Sequence, residues 1–225
     1  VINKLPKWVE FGGFFLAFNA GFINAVGLLG FKHQAVSHLT GTSTFLSLAI
    51  ANTNMQEVIH LLLVMASFII GAAYSGLVIG NTALQLGRRY SVALITESAL
   101  LFASMYLLNN ESLAGHFFAS AACGLQNAMT STYSGAVVRT THVSGLFTDL
   151  GVALGLRLRG HKTDFRKVIL YGILITGFIV GGVAGSLLFA RVAFSAIVVP
   201  GALTALIAVG YWAFLQNQIR FHSDS

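Results

Sequence analysis

Apolar residues fall into eight runs separated by short polar breaks: 9–31, 36–51, 58–80, 91–108, 113–136, 141–156, 168–190 and 193–215. Six of them read as ordinary membrane spans, since a helix needs about 20 mostly apolar residues to cross about 30 Å of hydrocarbon. The second and sixth differ. Ser37-His38-Leu39-Thr40-Gly41-Thr42-Ser43-Thr44 and Thr140-Thr141-His142-Val143-Ser144-Gly145 make their first halves polar, so only Phe45 to Ala51 and roughly Leu150 to Leu156 are strongly apolar. This pattern predicts interrupted helices, with the breaks at Thr40-Gly41 and Ser144-Gly145. Pro200 lies inside the last run and predicts a kink or a local helix start.

Sliding the two halves of the chain against each other brings out a repeat. Gly21-Phe22-Ile23-Asn24-Ala25 matches Gly124-Leu125-Gln126-Asn127-Ala128, His38-Leu39-Thr40-Gly41 matches His142-Val143-Ser144-Gly145, and Phe68-Ile69-Ile70-Gly71 matches Phe178-Ile179-Val180-Gly181. The matches keep their order, at offsets of 103, 104 and 110 residues. The chain therefore divides into a first membrane repeat, residues 1–108, and a second, 109–225, within a single membrane domain.

Composition agrees with the runs. The 225 residues are 56% hydrophobic and 9% charged, with a mean hydropathy of +0.78, which excludes a soluble enzyme domain or a DNA-reading module. The net charge of +6 invites a nucleic-acid reading, but the basic residues sit between apolar runs, where topology accounts for them. No cleavable signal pattern precedes the first run, which reads as a retained span. The single cysteine, Cys123, excludes an internal disulfide and reads as a small packing residue.

Charge also discriminates between topologies. Eight full crossings with a cytoplasmic N-terminus put eight Lys and Arg inside and five outside. If segments two and six instead enter and leave by one face, Arg88, Arg89 and Arg139 move inside, leaving only Lys32 and Arg191 outside. The positive-inside rule prefers this second arrangement, with both termini cytoplasmic. Six crossings make the two halves inverted, a transporter plan in which paired interrupted helices bind solute near the midplane. The expected fold is thus an all-α integral membrane protein of two inverted repeats, each with one interrupted or re-entrant helix; the alternative is eight full spans as parallel repeats.

The candidate chemistry follows from that plan. Helix starts at membrane depth present free N–H groups and favour an anion or the electron-rich end of a dipolar solute. The expected solute-binding residues are His38, Thr40, Gly41, Thr42, Thr44 and Asn24 in the first half, and Asn127, His142, Ser144, Gly145 and Thr148 in the second. Asp149 and Glu97 are the acids expected at membrane depth, where an ionisable group reads as functional, here in proton coupling. Asp149 has no acidic counterpart, because Phe45 stands at its place in the first half. No catalytic residue, metal site or cofactor is expected: two histidines without a nearby third ligand make a weak metal signal.

Ala20-Gly21-Phe22-Ile23-Asn24-Ala25, Leu39-Thr40-Gly41-Thr42, and Thr141-His142-Val143-Ser144-Gly145 running into Thr148-Asp149-Leu150-Gly151 resemble the YoaK-like family of small bacterial membrane proteins. Thr42 stands where that family has Asn, and Ser144 where it has Thr; both keep a side-chain oxygen. The resemblance implies a multi-pass protein of the bacterial inner membrane and supplies no biochemical role. On the residues, the expectation is a transporter or channel for a small polar or anionic solute, with the lipid bilayer and a homo-oligomer as its other partners. A membrane-embedded enzyme acting on a lipid or isoprenoid substrate, using His38, His142, Asp149 and Arg139, and a membrane scaffold are the alternatives.

Overall fold

The computed structural model describes residues 8–30, 33, 35–80, 87–135 and 138–223; Lys4, Lys7 and Lys32 lie outside them. In chain order the helices are α1 (Trp8–Leu29), α2 (Leu39–Ala51), α3 (Met55–Ile79), α4 (Arg88–Asn109), α5 (Ala114–Ser134), α6 (Val143–Leu158), α7 (Phe165–Val192), a 3-10 turn (Ala193–Ile197) and α8 (Val198–Ser223). Each apolar run became one helix, and Pro200 falls in the first turn of α8, where its missing N–H costs nothing. Glu10–Leu29, Met55–Ile79, Arg88–Asn109 and Phe165–Gln216 are helical stretches long and apolar enough to cross a membrane. Helix α5 is as long but carries His116, Ser120, Gln126, Thr130 and Ser134, all of them buried. Its polarity faces protein rather than the surroundings.

Side-chain contacts fix the direction of every long helix. α1 and α7 run parallel: Glu10 pairs with Arg166 at 2.9 Å near their starts, and Gly177, Gly181 and Gly185 in turn face the carbonyls of Phe14, Phe18 and Phe22. α3 and α5 are parallel as well, with His60 against His116 at 5.5 Å between ring centroids, Ser120 Oγ donating to the Val64 carbonyl at 2.9 Å, and Gly124 against the Phe68 carbonyl. α4 runs opposite to α8, since Asn109 reaches Ser195 at 3.1 Å and Ser98 reaches Gly201 at 2.8 Å. α1 likewise opposes α8, with Asn19 Nδ2 2.8 Å from Thr204 Oγ1 and Gly30, just past α1, against the Phe194 ring, just before α8; α5 opposes α4, whose end it meets where Ser104 Oγ donates to the Gly115 carbonyl at 2.8 Å. We call the end where α1 begins proximal and the other distal. α1, α4 and α7 then run toward the distal end, and α3, α5 and α8 toward the proximal end.

The glycines explain how the parallel pairs close. A methyl group on Gly21 would land on the Phe178 carbonyl and one on Gly181 on the Phe18 carbonyl; on the other pair, Gly124 meets the Phe68 carbonyl and Gly71 the Ala121 carbonyl. Without a Cβ the backbones touch directly, as small residues allow in apolar helix pairs. Two further glycines of this region make no such contact: Gly76 has open space beside it, and Gly80 ends α3 with φ +69°.

Helices α2 and α6 do not traverse the bundle. At 13 and 16 residues they are about 20 and 24 Å long. After α1 ends distally the chain turns back inward, where Ser37 Oγ donates to Asn24 Oδ1 at 3.0 Å and Ser120 Oγ to the Val36 carbonyl at 3.1 Å. From there α2 returns to the distal end and meets α3 through a turn in which Asn54 Oδ1 accepts from the Glu57 N–H at 3.2 Å. The other half does the reverse. α5 ends proximally at Gly135, whose φ of 61° suits a residue without a side chain. The chain then dips until Gln126 Nε2 donates to Thr140 Oγ1 at 2.9 Å, and α6 climbs back to the proximal end. The breaks therefore fall at Ser37-His38 and Thr141-His142; Thr40-Gly41 and Ser144-Gly145 lie inside the first turns of the helices that follow.

The buried apolar side chains form two clusters, one toward each end. The proximal one holds Ala17, Leu94, Leu125, Met129, Tyr133, Leu174 and Ala208 among others, the distal one Phe22, Ile23, Leu101, Leu108, Cys123, Phe194 and Ile197. Between them α1 contributes Asn19, α4 Glu97 and Ser98, and α8 Pro200, Gly201 and Thr204, and the side chains of Asn19, Glu97, Ser98 and Thr204 are buried.

Candidate functional site

The start of α2 rests against the bundle with its polar groups largely satisfied by its own backbone. His38 precedes the helix and makes no capping hydrogen bond; its ring stacks on Phe178, 5.6 Å between centroids, and its buried Nε2 has no partner. Thr42 is buried and donates to the His38 carbonyl at 3.2 Å. Thr44 donates to the Thr40 carbonyl at 3.1 Å. Asn24 is buried and holds Ser37. Thr40 and Thr44 point outward, and the backbone at Gly41 leaves open space where a Cβ would be.

The start of α6 repeats this backbone with different chemistry. Thr148 donates to the Ser144 carbonyl at 3.0 Å, as Thr44 does to Thr40. The His142 ring covers Gly145, leaving no room there for a Cβ. Here, however, the Arg139 guanidinium lies 3.3 Å from His142 Nδ1, and Tyr171 of α7 lies in the neighbourhood of Asp149 and Arg139. At the offsets that align the halves, the first holds Ala35, Phe45 and Leu61 instead of Arg139, Asp149 and Tyr171. His142, Ser144, Thr148 and Asp149 are exposed. Asn127, by contrast, stands apart on α5, half-buried, its Oδ1 without a partner.

Glu97 belongs to neither helix start. It is 1% exposed, its Oε2 has no hydrogen-bond partner among the described residues, and Cys123 of α5 is a near neighbour. Ser98, the next residue, donates to the Gly201 carbonyl, and Asn19 donates to Thr204 while its own Oδ1 is left without a partner. Asn19, Thr204 and Tyr171 were not singled out by the sequence as site residues. A polar residue every turn was the only available signal for Asn19, one turn ahead of Asn24.

Proximal to this layer lies a cleft of about 120 Å³ lined by Gly12, Gly13, Leu16, Tyr90, Leu94, Tyr133, Ile207 and Tyr211 among others. Among the described residues no group of three or more His, Cys, Asp or Glu is placed to hold a metal ion.

No curated protein and no solved structure matches the chain. A family profile does, over residues 12–210, which covers α2 to α7, most of α1, the first half of α8 and both helix starts described above. The chain thus belongs to DUF1275, a family described as proteins of unknown function.

Proposed function

We propose that this protein is a membrane transporter or channel for a small polar or anionic solute, built as an inverted duplication. The observation that carries the reading is the pair of short helices, α2 and α6, which begin in the interior and return to opposite ends of the bundle. Paired half-helices of this kind put two positive helix starts at mid-depth, where they favour an anion or an electron-rich dipole. The crossing contacts support the duplication: Phe18 and Gly21 on Gly181 and Phe178 correspond to Ala121 and Gly124 on Gly71 and Phe68 at the offsets seen in the sequence.

Charge supports an orientation. Arg88, Arg89, Arg157, Arg159, Lys162, Arg166 and Lys167 gather at the proximal end and Arg191 at the distal end, so the proximal end, where α1 begins and α8 ends, faces the cytoplasm of a bacterial inner membrane. In this reading Arg139 and His142 attract the solute, Asp149 and Tyr171 shape its other side, and coupling runs through Asp149 or Glu97. The outward stripe Thr40, Thr44, Ser47, Ala51 and its counterpart Ser144, Thr148, Gly151, Gly155 are exposed; a second copy would cover them.

Flux from proteoliposomes tests the proposal. Small inorganic anions or neutral polar solutes should cross faster than in protein-free vesicles, and Arg139→Gln should slow the anions more than the neutral solutes. No flux above the protein-free level for anions, zwitterions or neutral polyols would overturn it.

A further inference from the structure

The layer that separates the two apolar clusters has a chemistry of its own. Each of three central helices changes from apolar to polar there and back: α1 between Ala17 and Phe22, α4 between Leu94 and Leu101, α8 between Ile197 and Ala208. The residues in between are Asn19, Glu97 with Ser98, and Thr204. All four are buried, and two acceptor oxygens, Asn19 Oδ1 and Glu97 Oε2, have no partner among the described residues. Buried polar atoms are normally satisfied, so two left open in one layer need a reason.

Among the described residues no cation stands ready to meet a charge on Glu97. At its level the helices packed around α4 offer one titratable side chain from α5, Cys123, and one from α3, Tyr74, which bonds to Thr96 at 3.1 Å. α8 presents only Pro200, Gly201 and Thr204, and α1 only Asn19. Removing an isolated carboxylate from water is so costly that such groups keep their proton or take up a cation.

The proximal cleft leads to this layer. Its lining residues Leu16, Leu94 and Ile207 lie three residues from Asn19, Glu97 and Thr204, so on each of the three helices the cleft stops one turn short of the polar residue. The geometry points to Glu97 as a proton-binding site at the inner end of that cleft, loaded from the proximal side, with Leu94 as the last apolar barrier. This deepens the transport reading by choosing Glu97 over Asp149 as the coupling group. The proton binds one carboxylate oxygen as O–H and leaves by the same bond, with no other bond made or broken.

The test is infrared spectroscopy of the full chain in lipid bilayers at neutral pH. A protonated carboxyl gives a C=O band apart from the carboxylate bands. That band should be present in the wild type, missing in Glu97→Gln and retained in Asp149→Asn. A wild type without the band, or a band unchanged in Glu97→Gln, would overturn the proposal. Where Glu97→Gln fails to fold, the exchange rate decides. Leu94→Ala should speed the deuterium shift of the band several-fold, while Leu101→Ala on the distal side should not; equal rates in the two variants would overturn the route. Neither readout needs transport, so a failure of flux with the band intact would count against the transport reading alone.

Discussion

The two halves of this molecule share a backbone plan and differ in what the plan carries. In each, the first helix crosses the third helix of the other half on a glycine, and an inward-dipping strand of chain is tied by an amide before a short helix returns to its own end. Yet the short helix of the first half begins beside Phe178 with no charged neighbour in its own segment, whereas that of the second has Arg139, His142, Asp149 and Tyr171 about its start. At both crossings a backbone touches a backbone, which leaves no latitude for a side chain. Side chains facing the outside carry no such restraint, and these charged groups lie about the second short helix alone.

The largest expected effects probe the shared part. Gly21→Ala and Gly124→Ala each place a methyl group on a carbonyl oxygen and should each destabilise by about 1–3 kcal/mol or more. Gly76→Ala and Gly172→Ala, where a methyl meets nothing, should stay within about 0.5 kcal/mol. Thermal unfolding in detergent measures both sets; a tolerated change at one of the two crossings alone would mean the halves do not bear on each other equally.

Next come the ties. Gln126 Nε2 holds both the Leu16 carbonyl and Thr140 Oγ1, each at 2.9 Å, whereas Asn24 accepts a single close bond from Ser37. Gln126→Ala should cost about 1–3 kcal/mol, and Asn24→Ala less, by the same unfolding measurement. The reverse order would show that the tie in the first half carries more than its one close hydrogen bond.

Among effects on transport, Arg139→Gln and Asp149→Asn should lower flux several-fold, while changes at the matching first-half positions, Ala35→Ser and Phe45→Leu, should leave it near the wild-type rate. Equal losses in the two halves would remove the asymmetry from the account. The smallest effect belongs to the Glu10–Arg166 pair, which is partly exposed: Glu10→Gln should cost no more than about 1 kcal/mol, seen as a slight fall in unfolding temperature.

Much of this fold is legible in the sequence because membrane helices must be long and apolar, and because glycine, asparagine and histidine recur at fixed offsets. Residues 36–51 and 141–156 stand out by their polar first halves. The location of each break does not. Ser, Thr and Gly read as breakers, yet within α2 and α6 the hydroxyls of Thr42, Thr44 and Thr148 bond back to carbonyls one turn earlier, so the helix runs through them. Nor does a sequence show which glycines touch a backbone, since Gly71 and Gly76 look alike until the neighbour is known. The central layer joins Asn19 to Thr204 across 185 residues, a pairing that no local pattern contains. Tyr171 is one aromatic residue in a long apolar run, and only the fold brings it to Asp149.

If α2 and α6 enter from opposite faces of the membrane, impermeant thiol labelling will find their outer ends on opposite sides. In a Cys123→Ala background, single cysteines at Thr53, in the turn after α2, at Asn110, after α4, and at Gly160, after α6, each report one face. Intact cells should label positions 53 and 110 and leave 160 unreacted until the membrane is opened. Eight full crossings put all three on one face, so labelling of positions 53 and 160 from the same side would contradict entry from opposite faces.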